Sequence, residues 1–161
     1  MDFLLIPVEI PADANFILGQ THFIKTVEDL YEVMVNSVPQ AKFGIAFNEA
    51  SGPCLIRHDG NDEELRQFAV KTMQAIGAGH TFCIFMRNAY PVNVLPAVKG
   101  CREVCCIYCA TANPLQVIVA QGSSGRGIVG VIDGSSPKGV ETEENIRERL
   151  GFLRKIGYKR G

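Results

Sequence analysis

His80 stands in the segment GAGHTF at 77–82, directly before an apolar run, and Gly77 and Gly79 leave the backbone open around it. A neutral imidazole is available at about pH 7, so this side chain can attack phosphorus or shuttle a proton. A lone histidine is more often structural than catalytic, and both interpretations stand here. The other two histidines, His22 and His58, lie in more polar surroundings. His80 is therefore the candidate catalytic histidine.

Asp133 is the second candidate catalytic residue. It ends the apolar run GIVGVI and precedes Gly134. An acid at this position can form an Asx turn, and it can equally act as a general base or as a ligand for Mg²⁺, the one cofactor we consider. Lys138 and Glu141 follow within a few residues, so opposite charges can converge there. The sequence leaves the two roles of Asp133 open.

The segment GSSGRGIVGVIDG at 122–134 contains Gly125, Arg126, Gly127 and Gly130. One interpretation is a hairpin turn, GSSGRG, followed by a strand whose glycines allow another backbone to pack closely. The other is an anion cradle in which backbone N–H groups bind phosphate. The segment is not a P-loop, because no Lys-Ser or Lys-Thr pair follows and it opens a strand rather than a helix.

Two loop segments, 88–100 and 110–114, carry small polar side chains that can bind a ligand. The candidates are Tyr90, Asn93, Thr111 and Asn113. Tyr90 can stack on a base, and loops hold more than their share of binding residues. Asn and Pro also form turns for purely structural reasons, so the pattern alone is not specific.

Four of the six cysteines lie close together in the sequence and suggest a zinc site: Cys101, Cys105, Cys106 and Cys109. Cys106 and Cys109 have CxxC spacing. Their run predicts a strand, in which residues three apart point to opposite faces, and there is no second pair. We therefore predict free, buried thiols and no metal site, with Cys54 and Cys83 in the core. The cysteines also leave a thiol-based redox or metal protein as an alternative.

Length and composition predict one globular domain over residues 1–161, with 47% hydrophobic and 20% charged residues. The 16 basic residues face 17 acidic ones, which disfavours nucleic acid as a partner. The N-terminus lacks the basic region of a signal peptide, and no window is apolar enough to span a bilayer. We therefore expect a cytoplasmic protein without a membrane partner.

Three amphipathic helices are predicted at about 26–38, 62–76 and 142–156. Thr26, Asn61 with Glu64, and Thr142 are the expected N-terminal caps, and Gly77 is the expected C-cap of the second helix. A short helix is predicted after Asn93, with Pro96 near its start. The apolar side chains of the third helix are expected to face inward: Ile146, Leu150, Leu153 and Ile156.

Eight apolar runs bounded by turn residues predict strands. They lie at about 2–6, 16–22, 42–48, 53–57, 81–86, 103–110, 115–121 and 127–133. Residues 82–86, 104–110 and 117–120 are apolar on both faces and predict central strands. The hairpin at 122–125 makes part of the sheet antiparallel. The fold class is therefore α/β in the broad sense, more narrowly α+β, with a mixed, partly antiparallel sheet and packed helices.

Taken together, GAGHTF at 77–82, AYPVNVL at 89–95, ATANP at 110–114 and GRGIVGVIDGSSPKGVE at 125–141 resemble the signature segments of the adenosine-specific kinase family. The resemblance spans essentially the whole chain. It implies a compact α/β protein that forms homo-oligomers, with trimers as the expected state. It also implies adenosine and AMP as ligands and a phosphorylated histidine.

Carried over to this chain, the resemblance makes His80 the phosphate acceptor and places Asp133 with Gly125, Gly127 and Gly130 at the adjacent site. One hypothesis is a nucleoside phosphotransferase, in which Arg126 or Lys138 stabilises the transferred charge. The chain lacks a Walker motif and an obvious ATP-binding set, so the alternative is a non-catalytic adenosine or AMP sensor. The phosphoryl donor is not determined by the sequence.

Overall fold

The computed structural model describes residues 2–161, which form eight strands and four helices. The strands are β1 Asp2–Val8, β2 Asn15–Thr21, β3 Lys42–Asn48, β4 Ile56–Gly60, β5 Thr81–Arg87, β6 Val104–Thr111, β7 Leu115–Gln121 and β8 Arg126–Asp133. The helices are α1 Thr26–Ser37, α2 Glu63–Ile76, α3 Pro91–Gly100 and α4 Glu143–Lys155. The predicted α+β class is confirmed, in a single domain.

The strands form two sheets rather than one. A five-stranded sheet has the order β4-β3-β5-β2-β6, and a three-stranded sheet has the order β1-β7-β8. All pairs between these strands are antiparallel, whereas the sequence predicts a mixed, only partly antiparallel sheet. The only parallel contact in the described chain is an isolated bridge between Ala78 and Arg126.

Two apolar clusters fill the interior, one on each side of the five-stranded sheet. One cluster joins α2 and this sheet to the inner face of the three-stranded sheet, with Phe85, Met73 and Val117 among its buried members. The other packs α1 and α3 on the opposite face, around Phe43 and Leu30. The second sheet thus extends the first core rather than forming a separate one.

Seven of the eight predicted strands lie within two residues of the observed bounds, whereas the fourth, predicted at 53–57, lies at Ile56–Gly60. One predicted location within a sheet is also wrong. β5 and β7 are central, as expected, whereas β6 lies at the edge of its sheet. Its residues Cys105 and Cys106 are exposed. A strand that is apolar on both faces is typically central, yet the same pattern also occurs in an edge strand that another segment covers.

Helix caps differ in detail from the sequence prediction. Asp62 rather than Asn61 caps α2, because its carboxylate accepts from the Leu65 N–H at 3.0 Å. Gly77 ends that helix in the left-handed region at φ 61°, as predicted. Thr26 is the first helical residue rather than the cap, and its buried hydroxyl lies 2.6 Å from that of Thr21.

Helix α4 contradicts the expected inward apolar face. Thr142 caps it as predicted, but none of its residues is buried. Leu150 and Ile156 are 41% and 44% exposed. Within residues 2–161, no helix is both long and apolar enough to cross a membrane.

Candidate functional site

His80 is held by its backbone in an unusual conformation. Its φ of 60° lies in the left-handed region, which costs a residue other than glycine roughly 1–3 kcal/mol. The His80 N–H donates to the Asn48 carbonyl at 2.7 Å, and the His80 carbonyl accepts from the Thr21 N–H at 2.8 Å. The imidazole lies nearly parallel to the Phe47 ring, 6.1 Å away. These contacts hold a half-buried imidazole immediately before β5.

A cleft of about 550 Å³ adjoins His80. Its lining includes Gly77 and Gly79 before His80, and Ser124 and Gly125 of the hairpin. The hairpin closes with the Gly122 N–H donating to the Gly125 carbonyl at 2.8 Å, which agrees with the hairpin prediction. The glycine-rich turn therefore lies beside the residue that precedes His80.

Arg126 lines the same cleft but already has partners. Its guanidinium donates to the carbonyl oxygens of Ala75 at 3.1 Å and Ile76 at 3.4 Å, at the carboxyl end of α2. Its Nε donates to Gln121 at 2.6 Å. A cation at this end also interacts favourably with the helix dipole. Arg126 thus links the hairpin to α2, and the hydrogen bonds that do so occupy the groups that would bind phosphate.

Asn48 is a residue of this cleft that the sequence reasoning missed. It is 6% exposed, and its Nδ2 donates to the carbonyls of Met73 at 3.0 Å and Ala78 at 3.1 Å. These bonds and the one to His80 tie β3, α2 and the His80 segment together. The signal in the sequence was the polar residue that ends the apolar run FGIAF.

Asp133 lies at the opposite end of β8, where it organises a turn. Its Oδ1 accepts from the Thr111 hydroxyl at 2.7 Å and from the Asn113 amide at 3.2 Å. The Gly134 N–H donates to the Pro114 carbonyl at 2.9 Å. The structure therefore brings Asp133 together with Thr111 and Asn113, and leaves the carboxylate exposed.

Next to this turn is a cavity of about 660 Å³, which we call the aromatic cavity. Three aromatic side chains line it: Tyr90, Phe152 and Tyr158. Each of the three is half or more exposed, and the polar part of the lining includes Asn15, Thr111 and Asn113. Pockets of this size and mixture suit a planar apolar ligand with a few polar groups. Phe152 and Tyr158 were not predicted, because they come from a helix end that only the fold brings there.

The remaining predicted ligand residues lie elsewhere. Asn93 accepts from the Tyr90 N–H at 2.9 Å and so caps α3. Glu141 pairs with Arg149 at 2.8 Å, and hydrogen bonding to that arginine lowers the pKa of Glu141. Lys138 is exposed. Gly127 and Gly130 lie on β8, where an added Cβ would meet nothing within 4 Å.

The two groups of candidate residues are far apart in one chain. Arg126 and the Ala78 bridge put the start of β8 beside the His80 segment, whereas Asp133 ends that strand. β8 has eight residues, so at about 3.3 Å per residue its ends lie roughly 23 Å apart. His80 and Asp133 of one chain therefore do not reach the same ligand atom.

The cysteines and acids do not assemble a metal site in the described chain. All six cysteines are free, and no group of three or more His, Cys, Asp or Glu side chains is placed to hold a metal among residues 2–161. Cys83 and Cys109 are buried as predicted, but Cys54, Cys105 and Cys106 are exposed, and Cys54 has φ 52°. Asp133 also fits Mg²⁺ poorly, because its neighbours turn hydrogen-bond donors toward it.

Comparison with known proteins identifies the family. A family described as Adenosine specific kinase matches residues 6–159, so the chain belongs to the adenosine-specific kinase family. The chain is also similar to the crystal structure of the PH1918 protein from Pyrococcus horikoshii OT3, with 46% identity, a TM-score of 0.95 and 99% of each chain covered. No curated protein matches the chain.

Proposed function

We propose that this protein is a cytoplasmic phosphotransferase that interconverts adenosine and AMP through a phosphorylated His80, and that it works as a homo-oligomer, with a trimer as the expected state. The aromatic cavity is the observation that carries the proposal. Tyr90 and Phe152 offer ring faces for a purine, and Thr111, Asn113 and the carboxylate of Asp133 offer hydrogen bonds for a ribose. Membership of an adenosine-specific family supports this choice of ligand.

The chemistry of His80 has two steps. An imidazole nitrogen attacks phosphorus of a phosphoanhydride donor, so that an N–P bond forms and the donor's P–O bond breaks. The 5′ oxygen of adenosine then attacks that phosphorus; the O–P bond forms, the N–P bond breaks, and the hydroxyl proton passes to Asp133. Lys138 is the cation we assign to the transferred phosphate, because Arg126 is engaged by carbonyls of α2.

Because the two ends of β8 lie roughly 23 Å apart, we infer that two protomers share this reaction. In the proposed assembly, His80 of one chain works on a nucleoside in the aromatic cavity of another. The strained backbone and the stacked ring at His80 support a functional imidazole, because such strain concentrates at functional sites.

The ligand site is tested by calorimetry with adenosine, AMP and ATP. Tyr90→Leu and Phe152→Leu each remove a stacking face, so adenosine binding should weaken about tenfold or more. Phe23→Leu is the control, since Phe23 is similarly exposed but lies outside the cavity. Unchanged binding in both cavity variants would place the nucleoside elsewhere.

The histidine is tested with His80→Asn, which tolerates the left-handed backbone and removes the imidazole. His58→Asn is the control, because His58 is an exposed histidine that does not line the cleft beside His80. Acid-labile phosphate incorporation and AMP formation should vanish only in the first variant. Mixed oligomers of His80→Asn and Asp133→Ala chains should regain part of the transfer, and persistent inactivity of the mixture would exclude a shared site.

A second candidate function is a sensor that binds adenosine or AMP without turnover. The distance between His80 and the aromatic cavity in one chain favours it, since binding needs only the cavity. Adenosine binding by the wild-type protein with no AMP formation from any phosphoanhydride donor would select this alternative.

A further inference from the structure

The side-chain amide of Asn48 is held so that its oxygen is left without a partner. Its Nδ2 faces three acceptors, the carbonyls of Met73 and Ala78 at 3.0 and 3.1 Å and the Thr81 hydroxyl at 3.3 Å. These acceptors fix the orientation of the amide, because turning it over would set its oxygen against two carbonyl oxygens. Oδ1 is buried and accepts no hydrogen bond from any residue in 2–161. A buried acceptor without a donor is costly, so a ligand that donates to this oxygen gains affinity.

Asn48 lines the cleft of about 550 Å³ described above, which we call the Asn48 cleft. His80 is not among the described residues that line it, and its imidazole stacks on Phe47. Phe47 belongs to the apolar cluster on the α1 face of the five-stranded sheet, whereas Asn48, the next residue of β3, bonds to α2 on the other face. The Asn48 cleft also shares no lining residue with the aromatic cavity. It is therefore separate from both parts of the proposed reaction.

The two charged side chains that line the Asn48 cleft already have partners. Glu49 accepts from the Leu55 N–H at 2.8 Å and from Arg57 at 3.0 Å, and these bonds, the one to Leu55 first, lower the pKa of Glu49. Arg126 donates to the carbonyls at the end of α2. An ionised ligand would lose its hydration without gaining a free counter-charge, so the lining favours an uncharged molecule.

The rest of the lining suits a small, largely apolar molecule. Met73 and Leu55 supply apolar surface, and Gly79 approaches Ala50 so closely that a Cβ on the glycine would lie 2.9 Å from the Ala50 Cβ. Cys54 also lines the cleft, with an exposed thiol and a backbone in the left-handed region at φ 52°. Apolar walls with a few placed polar atoms are typical of small-molecule sites, and backbone strain concentrates at functional sites.

We propose that the Asn48 cleft is a second ligand site, and that it binds a small uncharged molecule whose N–H group donates to Asn48 Oδ1. Two classes of molecule present the required planar NH₂ group beside an apolar body: amino-substituted heterocycles, of which nucleobases are the common form, and primary carboxamides. A ligand held there contacts both α2 and the hairpin. This site goes beyond the nucleoside chemistry proposed above and does not rest on it.

The thiol of Cys54 reports occupancy of the cleft, because a bound molecule shields it from alkylation. Mass spectrometry follows the rate at which N-ethylmaleimide labels Cys54 of the full-length protein during titration with 9-methyladenine or with benzamide. The matched analogues, 9-methylpurine and methyl benzoate, have similar shapes and no N–H donor. Each amino compound should half-protect Cys54 at a concentration about tenfold or more below that of its analogue. Cys105, which is exposed outside the cleft, is the control and should be labelled at an unchanged rate.

The same titration separates this site from the aromatic cavity. In Tyr90→Leu, protection of Cys54 should be unchanged, because Tyr90 lines only the other site. Nucleoside binding at the aromatic cavity can therefore fail while this protection persists, and the reverse also holds. Protection by one amino compound alone identifies the class of ligand. Absence of protection by both, equal protection by the analogues, or loss of protection in Tyr90→Leu overturns the proposal.

Discussion

The Arg126 guanidinium donates a hydrogen bond to the Ala75 carbonyl at 3.1 Å and thereby ties the glycine-rich hairpin to the end of α2. The last carbonyls of a helix lack partners within the helix, so a cation that binds them stabilises both elements. This contact assigns to Arg126 a structural role that its position in a glycine-rich turn did not reveal.

Arg126→Met should therefore lower the free energy of unfolding by about 1–2 kcal/mol, because it removes the bonds to α2 while keeping much of the side-chain volume. Urea unfolding measures the change. Arg102→Met, which replaces an exposed arginine, is the control. Wild-type stability in Arg126→Met combined with lost AMP binding would instead make this arginine a ligand residue.

Variants of Asp133 distinguish its role in stabilising the turn from its proposed role as the base. Asp133→Asn keeps an oxygen to accept from Thr111, so its unfolding free energy should stay within about 0.5 kcal/mol of wild type, whereas Asp133→Ala should lose about 1–2 kcal/mol. Transfer to adenosine should fail in both variants, because neither offers a carboxylate to take the proton. A fully active Asp133→Asn would exclude Asp133 as the base.

Gly44 is the glycine that packing requires most clearly. A Cβ there would lie 2.2 Å from the Arg66 backbone nitrogen, where α2 crosses β3. Gly44→Ala should cost about 3 kcal/mol in thermal or urea unfolding, since two backbones must separate. Gly125→Ala, where a Cβ meets nothing within 4 Å, should change stability little. Equal effects in the two variants would contradict the close contact of β3 and α2.

Thiol reactivity should divide the cysteines by burial. Burial raises the pKa of Cys83 well above its usual range, and burial followed by the nearby charge of Asp133 raises the pKa of Cys109 to about 12. Because the thiolate is the nucleophile, iodoacetamide at about pH 8 should label the exposed Cys54, Cys105 and Cys106 first. Mass spectrometry locates the labels, and the urea-unfolded protein, in which all six should react, is the control. Early labelling of Cys83 would be inconsistent with its position in the core.

Local patterns predicted the elements well, as β3 and α2 illustrate. The run FGIAF contains no polar residue and is bounded by turn residues. The apolar residues of α2 repeat at helical spacing, and the helix ends at Gly77. Apolar spacing and capping act over a few residues, so they can be read from neighbours in the chain. The cap of α2 moved by one residue, because Asn61 instead donates to the Ala41 carbonyl at 2.9 Å.

The candidate site was predictable only in part, because local context identifies a residue but not its neighbours from distant parts of the chain. Tyr90, Thr111, Asn113 and Asp133 were each singled out by type and local context, and the fold does gather them at one end of the molecule. Their neighbours Phe152 and Tyr158 were missed, since they come from a segment far along the chain.

The sequence by itself determined the approximate position of nearly every strand and helix, the family resemblance and the residue types available for chemistry. Only the tertiary structure decided that the strands divide into two antiparallel sheets, that β6 is an edge and that α4 is uncovered. It also decided that His80 and Asp133 stand at opposite ends of the fold. The physical reason is that these outcomes depend on which distant strands exchange hydrogen bonds and which apolar faces meet, and no local spacing encodes that choice.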